Sequence, residues 1–154
     1  MRLSKKILLV LVIVFIVFQF IQPAFNKDPQ VLPTDLTKTV NVPNDVQIVL
    51  RKACYDCHSN NTNYPWYMNV QPMGWVMASH IKDGKENLNF SEFGSYSNRK
   101  QANKLRAILQ SIDEGSMPIS SYTMIHTDAK LDKNSKELIK GWTTKTRDSL
   151  LTTK

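Results

Sequence analysis

The stretch Cys54-Tyr55-Asp56-Cys57-His58 constrains this chain more than any other. Two cysteines three positions apart, followed at once by a histidine, form the attachment signature of a c-type haem. On one helical turn that spacing aims both thiols at the two vinyl groups of one porphyrin edge and sets the imidazole under the iron. The chain has two cysteines in all, so one haem c would use both. In an oxidising compartment a Cys54–Cys57 disulfide is the competing state. A thioredoxin-like dithiol needs a βαβ context, which the sequence lacks. A structural zinc site needs a second ligand pair at finger spacing, and none exists.

The N-terminus adds a location. Ile7 to Ile21 is apolar except for Gln19; Arg2, Lys5 and Lys6 precede it, and the first acid is Asp28. This is the pattern of an export signal or a membrane anchor. A full span needs about 20 apolar residues, and the run from Ile7 to Phe25 approaches that. Gln22-Pro23-Ala24 is a poor cleavage site, which favours an uncleaved signal anchor over residues 1–25. The basic end would stay inside and the remainder would face the periplasm. A cleaved leader, releasing a periplasmic protein, is the alternative. Covalent haem attachment in bacteria takes place on that far side of the membrane.

Charge excludes one class of partner. The formal net charge of +7 includes four bases and no acid in residues 1–27, which leaves only +3 for the rest. A domain so mildly basic has no nucleic-acid-binding surface.

Residues 26–43, with Pro29, Pro33 and Pro43, predict a linker holding the domain a short way off the bilayer. The haem domain would occupy 44–154. Asn44 and Asp45 open a short helix whose apolar positions Val46, Val49, Leu50 and Ala53 lead into Cys54. After a polar loop, Pro72 begins a second helix ending near Lys82, with Gly84 as its stop. Asn87 to Ser97 is read as an irregular, partly buried loop carrying Phe90, Phe93 and Tyr96. Ala102, Leu105, Ile108, Leu109 and Ile112 make a third helix, closed by Gly115. A fourth begins near Asn134, where Asn134 to Glu137 resembles a capping box. Strand signals are weak. The predicted domain is all-α, about four helices round a covalent haem, preceded by one N-terminal membrane helix.

His58 would be the proximal iron ligand, its second ring nitrogen held by a carbonyl from the Pro65–Pro72 loop. Two residues compete for the distal side. Met117 follows Gly115 and precedes Pro118, so its sulfur would sit on a stiffened loop. His80 lies on a predicted helix among apolar residues, as a distal ligand or a propionate contact. Met68, Met73, Met77 and Met124 lack such a setting and read as core. His126 could bond backbone or a propionate.

The ordered set Cys54-Tyr-Asp-Cys-His-Ser-Asn, Tyr64-Pro-Trp-Tyr, His80-Ile-Lys-Asp-Gly and Leu88-Asn-Phe-Ser-Glu92 resembles the bacterial haem-binding domain family defined by a CxxCH motif. Met117-Pro, Tyr122, His126, Ala129-Lys-Leu131 and Trp142 extend the resemblance, which covers about residues 30 to 145. The layout is more distantly similar to class I cytochromes c, and that analogy implies Cys54, Cys57, His58 and Met117 as haem residues. The long Tyr64–Phe93 segment departs from it, and His80 lies there. The family implies haem binding and no particular redox partner.

The expectation is therefore a membrane-anchored monohaem cytochrome carrying single electrons, not an enzyme. The alternative is a haem-based sensor with an open or displaceable sixth site. Peroxidase-like chemistry would require a distal acid–base group, which His80 or His126 could supply.

Overall fold

The structure, a computed structural model, describes residues 3–152. Among the described residues there are helices and turns and no named strand, only an isolated bridge between Lys27 and Asn61. The all-α expectation is met.

The chain runs through α1 (Leu3–Gln19), α2 (Leu36–Thr39), α3 (Asn44–Ala53), α4 (Tyr55–His58), α5 (Met73–Asn87), α6 (Asn98–Asp113), α7 (Ser120–Ile125) and α8 (Lys133–Thr152). Short 3₁₀ turns lie at Trp66–Asn69, Phe90–Ser95 and Thr127–Ala129. Beyond α1, the four helices of ten residues or more are α3, α5, α6 and α8, as the apolar periodicities predict.

The N-terminal helix forms but stops short. Its 17 residues are almost all exposed, and at about 1.5 Å per residue they extend roughly 25 Å, against a hydrocarbon core of about 30 Å. Among the described residues no helix is long and apolar enough to cross a membrane, so the full span expected over residues 1–25 is not met. Gln19, the last residue of α1, already pairs with the domain: its Oε1 accepts from the Gln71 backbone N–H at 2.9 Å, and its Nε2 donates to the Gln71 carbonyl at 3.3 Å.

Residues 26–43 also differ from expectation. They pack on the domain instead of spanning a gap. Leu36 is 0% exposed and sits in the main core. The Asp35 carboxylate caps α2 by accepting from the Thr37 backbone N–H at 2.9 Å. Asn26 donates its side-chain amide to the Ser59 carbonyl and to Thr62 Oγ1. The prolines do exclude a long helix, but they leave room for the single turn α2, whose first residue is the buried Leu36.

Two apolar clusters form the interior. The larger joins Leu36, Val46, Leu50, Phe90, Phe93, Leu105, Ile139 and Trp142, with α6 packed along α8. The Trp142 indole N–H reaches back to the Asn41 carbonyl at 3.0 Å and ties α8 to the chain before α3. The smaller cluster joins Met68, Met77, Ile81, Tyr122 and Ala129. Cys54 packs against the first cluster and Cys57 against the second, so the pentapeptide lies at the seam between them. Met68 and Met77 are core, as expected; Met73 and Met124 are exposed, Met124 at 79%, because their helix faces point away from both clusters.

Candidate functional site

The motif's geometry begins with a break. Cys54 caps the end of α3, with its N–H bonded to the Leu50 carbonyl, and its φ of −129° separates α3 from the single turn α4. The Cys57 and His58 N–H groups both donate to the Cys54 carbonyl, at 3.2 and 3.0 Å. Both thiols and the imidazole therefore share one tight turn.

Helix α5 crosses this turn closely. A Cβ at Gly84 would lie 2.6 Å from the Cys57 carbonyl oxygen and 3.3 Å from Cys57 Cβ. Gly84 does not end the helix, as its position had suggested; α5 runs on to Asn87. A glycine inside a helix costs about 1 kcal/mol relative to alanine, and here that cost allows backbone approach to the motif.

That crossing carries α5 to Leu88, whose carbonyl meets His58 Nδ1 at 2.9 Å. The Pro65–Pro72 loop, expected to supply this acceptor, does not. A backbone carbonyl offers no side-chain signal in a sequence, so the residue could not be named in advance. Since a carbonyl only accepts, the proton is on Nδ1 and the Nε2 lone pair is left for a metal. Burial lowers the His58 imidazole below its usual value, opposed by the Leu88 and Gly84 carbonyls. The ring is thus held neutral, the state that ligates iron.

Cys54 and Cys57 are free thiols. Burial first, then the neighbouring Cys57, pushes the Cys54 thiol up to about 12; burial and the Asp56 carboxylate push Cys57 up to about 11. The site disfavours thiolates and suits neutral sulfur, which a thioether is.

On the far side, Gly115 adopts φ 68° as the C′ residue of α6. The Ser111 carbonyl then accepts from both the Ser116 and Met117 N–H groups, turning the chain back at the helix end. Met117 is 42% exposed and lies on a cavity of about 470 Å³. The same cavity is lined by Cys54, Cys57, His58 and His80, with Leu50, Leu88, Phe90, Ile108, Ile112 and Ile139 among its apolar walls. All five residues singled out from the sequence are therefore brought to one space. His80 Nδ1 is buried and has no hydrogen-bond partner. His126 does not line the cavity; it stacks on Tyr122, with ring centroids 4.2 Å apart, and bonds the Tyr67 hydroxyl.

Two further side chains were not singled out for the site. Tyr122 lines the cavity and donates to Asp56 Oδ2 at 2.7 Å, joining α7, the helix that follows Met117, to the motif itself. Burial, then the Asp56 carboxylate, raises the Tyr122 phenol, so it stays protonated. Lys104 lies at the cavity on α6 and donates to the Asn87 carbonyl.

A cavity of this size falls within the range of cofactor pockets. Two neutral thiols, a neutral imidazole and a thioether on predominantly aliphatic walls form a donor set that fits haem. The comparison with known families agrees: residues 13–145 match the model of the haem-binding domain. The chain belongs to the haem-binding domain family. No curated protein and no solved structure matches it. The match begins within α1, so this haem-binding domain includes the second half of that helix and all of residues 26–43.

Proposed function

We propose that this haem-binding domain carries one covalently attached haem c and passes single electrons, anchored to the inner membrane through α1 with its cavity on the periplasmic side. One observation carries the reading: Cys54, Cys57, His58 and Met117 line a single apolar cavity. Haem bound there would supply a one-electron Fe(II)/Fe(III) couple. Cys54 and Cys57 would hold it as thioethers. His58, oriented by the Leu88 carbonyl, would be the proximal ligand. Met117, between α6 and the helix α7 that Tyr122 fastens to Asp56, would be the distal ligand. The largely apolar lining of the cavity suits an electron carrier better than a site for polar substrates.

The sensor reading is kept because Met117 is partly exposed and His80 Nδ1 is unpartnered beside the same cavity. Spectra of the wild type, Met117→Ala and His80→Ala separate the two. With methionine ligation, the oxidised protein shows the weak near-infrared sulfur-to-iron band, which Met117→Ala alone abolishes. A wild type without that band, whose reduced form binds carbon monoxide with no ligand to displace, overturns the carrier reading. Intact mass gives the prior check: one haem is gained, and lost in the Cys54→Ala/Cys57→Ala variant.

A further inference from the structure

We propose that the face of the domain carrying Trp66, Val70, Met73 and Val76 rests in the lipid headgroup layer, so that the cavity is held at one fixed orientation to the membrane. The inference rests on the anchoring reading above and adds a second, domain-borne contact with lipid.

The first observation is a clamp. Gln71 is 1% exposed, yet its side chain and backbone turn to the base of α1. Its amide donates to Gln22 Oε1 at 2.8 Å, and its backbone bonds Gln19 in both directions. Gln22 also donates to the Asn69 carbonyl at 3.2 Å. The Trp75 indole N–H donates to the Ile21 carbonyl at 2.7 Å, and its ring meets Phe18 edge-on at 5.3 Å. So many bonds between residues some fifty positions apart make the helix base and the 66–76 segment one body. Wherever α1 leaves the hydrocarbon, this segment is beside it.

The second observation is what the segment presents there. Trp66 is 79% and Val76 46% exposed, with Val70 and Met73 also outside. Phe20, Ile21 and Phe25 continue the exposed apolar surface from the helix base. No Asp, Glu, Lys or Arg occurs from Ser59 to Ile81, nor from Ile7 to Asn26. Two uncharged segments thus meet at the clamp, while the surfaces of α6 and α8 are charged. Tryptophan beside aliphatic residues, without charge, is the composition of a membrane–water interface. The same contact answers the shortness of α1: a helix of 17 residues is seated by the domain's own apolar rim rather than by its length alone.

The test uses the full chain with its haem in lipid vesicles, in the oxidised state, with a nitrogen-equilibrated sample as the baseline at each site. A nitroxide is placed through Val70→Cys, and in a second protein through Val76→Cys; Lys145→Cys on α8 is the control. Variants whose haem spectrum matches wild type are carried forward. Flotation after an alkaline wash first reports whether the chain is membrane-bound at all. Power saturation then compares access of oxygen, which is lipid-soluble, with access of a water-soluble nickel chelate. The expected result is oxygen access exceeding nickel access at Val70 and Val76, and the reverse at Lys145. If the chain floats but both sites favour nickel, the face is in water and the inference falls while the anchor stands. If both reagents are excluded, a second copy of the chain covers the face and the inference again falls. If the chain does not float, the anchoring reading fails first.

Discussion

Replacing Gly84 by alanine tests how the haem motif is positioned. The added methyl carbon would lie 2.6 Å from the Cys57 carbonyl oxygen and 3.2 Å from its carbonyl carbon. Both are backbone atoms of a hydrogen-bonded turn, so no side-chain rotation relieves the contact. Reaching an ordinary separation of 3.4 Å requires α5 to withdraw by about 0.8 Å. Overpacking of this kind costs about 1–3 kcal/mol. Removing a helical glycine returns about 1 kcal/mol, so the net change is a loss of roughly 0–2 kcal/mol. Gly141 in α8 isolates the second term, since a Cβ there meets nothing within 4 Å. Gly141→Ala should therefore stabilise by about 1 kcal/mol, and the two variants should differ by about 1–3 kcal/mol. For a chain of this length that is a Tm difference of about 2–12 °C. Thermal melts of the full haem-loaded chain in detergent give the comparison. The Gly84 variant should also attach haem less completely, because the Leu88 carbonyl that orients His58 moves with α5. A Gly84→Ala protein as stable as Gly141→Ala, with full haem attachment, would refute the reasoning.

Three other outcomes follow from the same structure. Leu36→Ala should cost about 2–5 kcal/mol in urea unfolding, because a fully buried side chain is lost; a change below 0.5 kcal/mol would mean residues 26–43 do behave as a loose linker. In the haem-free chain at pH 8, Cys57 at about 11 should alkylate about a hundredfold more slowly than an ordinary cysteine at 9.0. Mass-resolved iodoacetamide rates that plateau below pH 9 would contradict this. The lowered His58 value makes haem-free stability fully present above the unfolded imidazole value of about 6.5 and lost progressively as pH falls below it. His58→Gln should flatten that part of the stability profile, and an unchanged slope between pH 7 and 5 would assign the loss to other groups.

Much of the fold was legible because periodicity reports burial directly. The stripe from Ala102 to Ile112 produced α6 over Asn98–Asp113, and Gly115 closed it with a positive φ. The start of α8 was nearly placed, although its first-turn acceptor is Asp132, which takes the Ser135 N–H at 2.7 Å, rather than Asn134. Errors arose where a residue's partner is distant in the chain. Gly84 read locally is a helix stop, and only the proximity of Cys57 gives it another use. The segment 26–43 read locally is a linker, and only the larger cluster reveals why Leu36 is there.

The sequence by itself determined the all-helical class and the close spacing of two thiols and an imidazole. Cys54, Cys57 and His58 are adjacent along the chain, and their spacing has meaning before any folding. Tertiary structure alone decided how the site is assembled. It put Met117 and His80 on the same cavity as the motif, took the His58 acceptor from Leu88, and fastened Asp56 to Tyr122. It also fixed the base of α1 to Gln71, fifty residues away. These are hydrogen bonds to backbone groups and approaches between remote segments. Every residue but proline carries the same backbone donor and acceptor, so composition and spacing hold no record of which pairs meet.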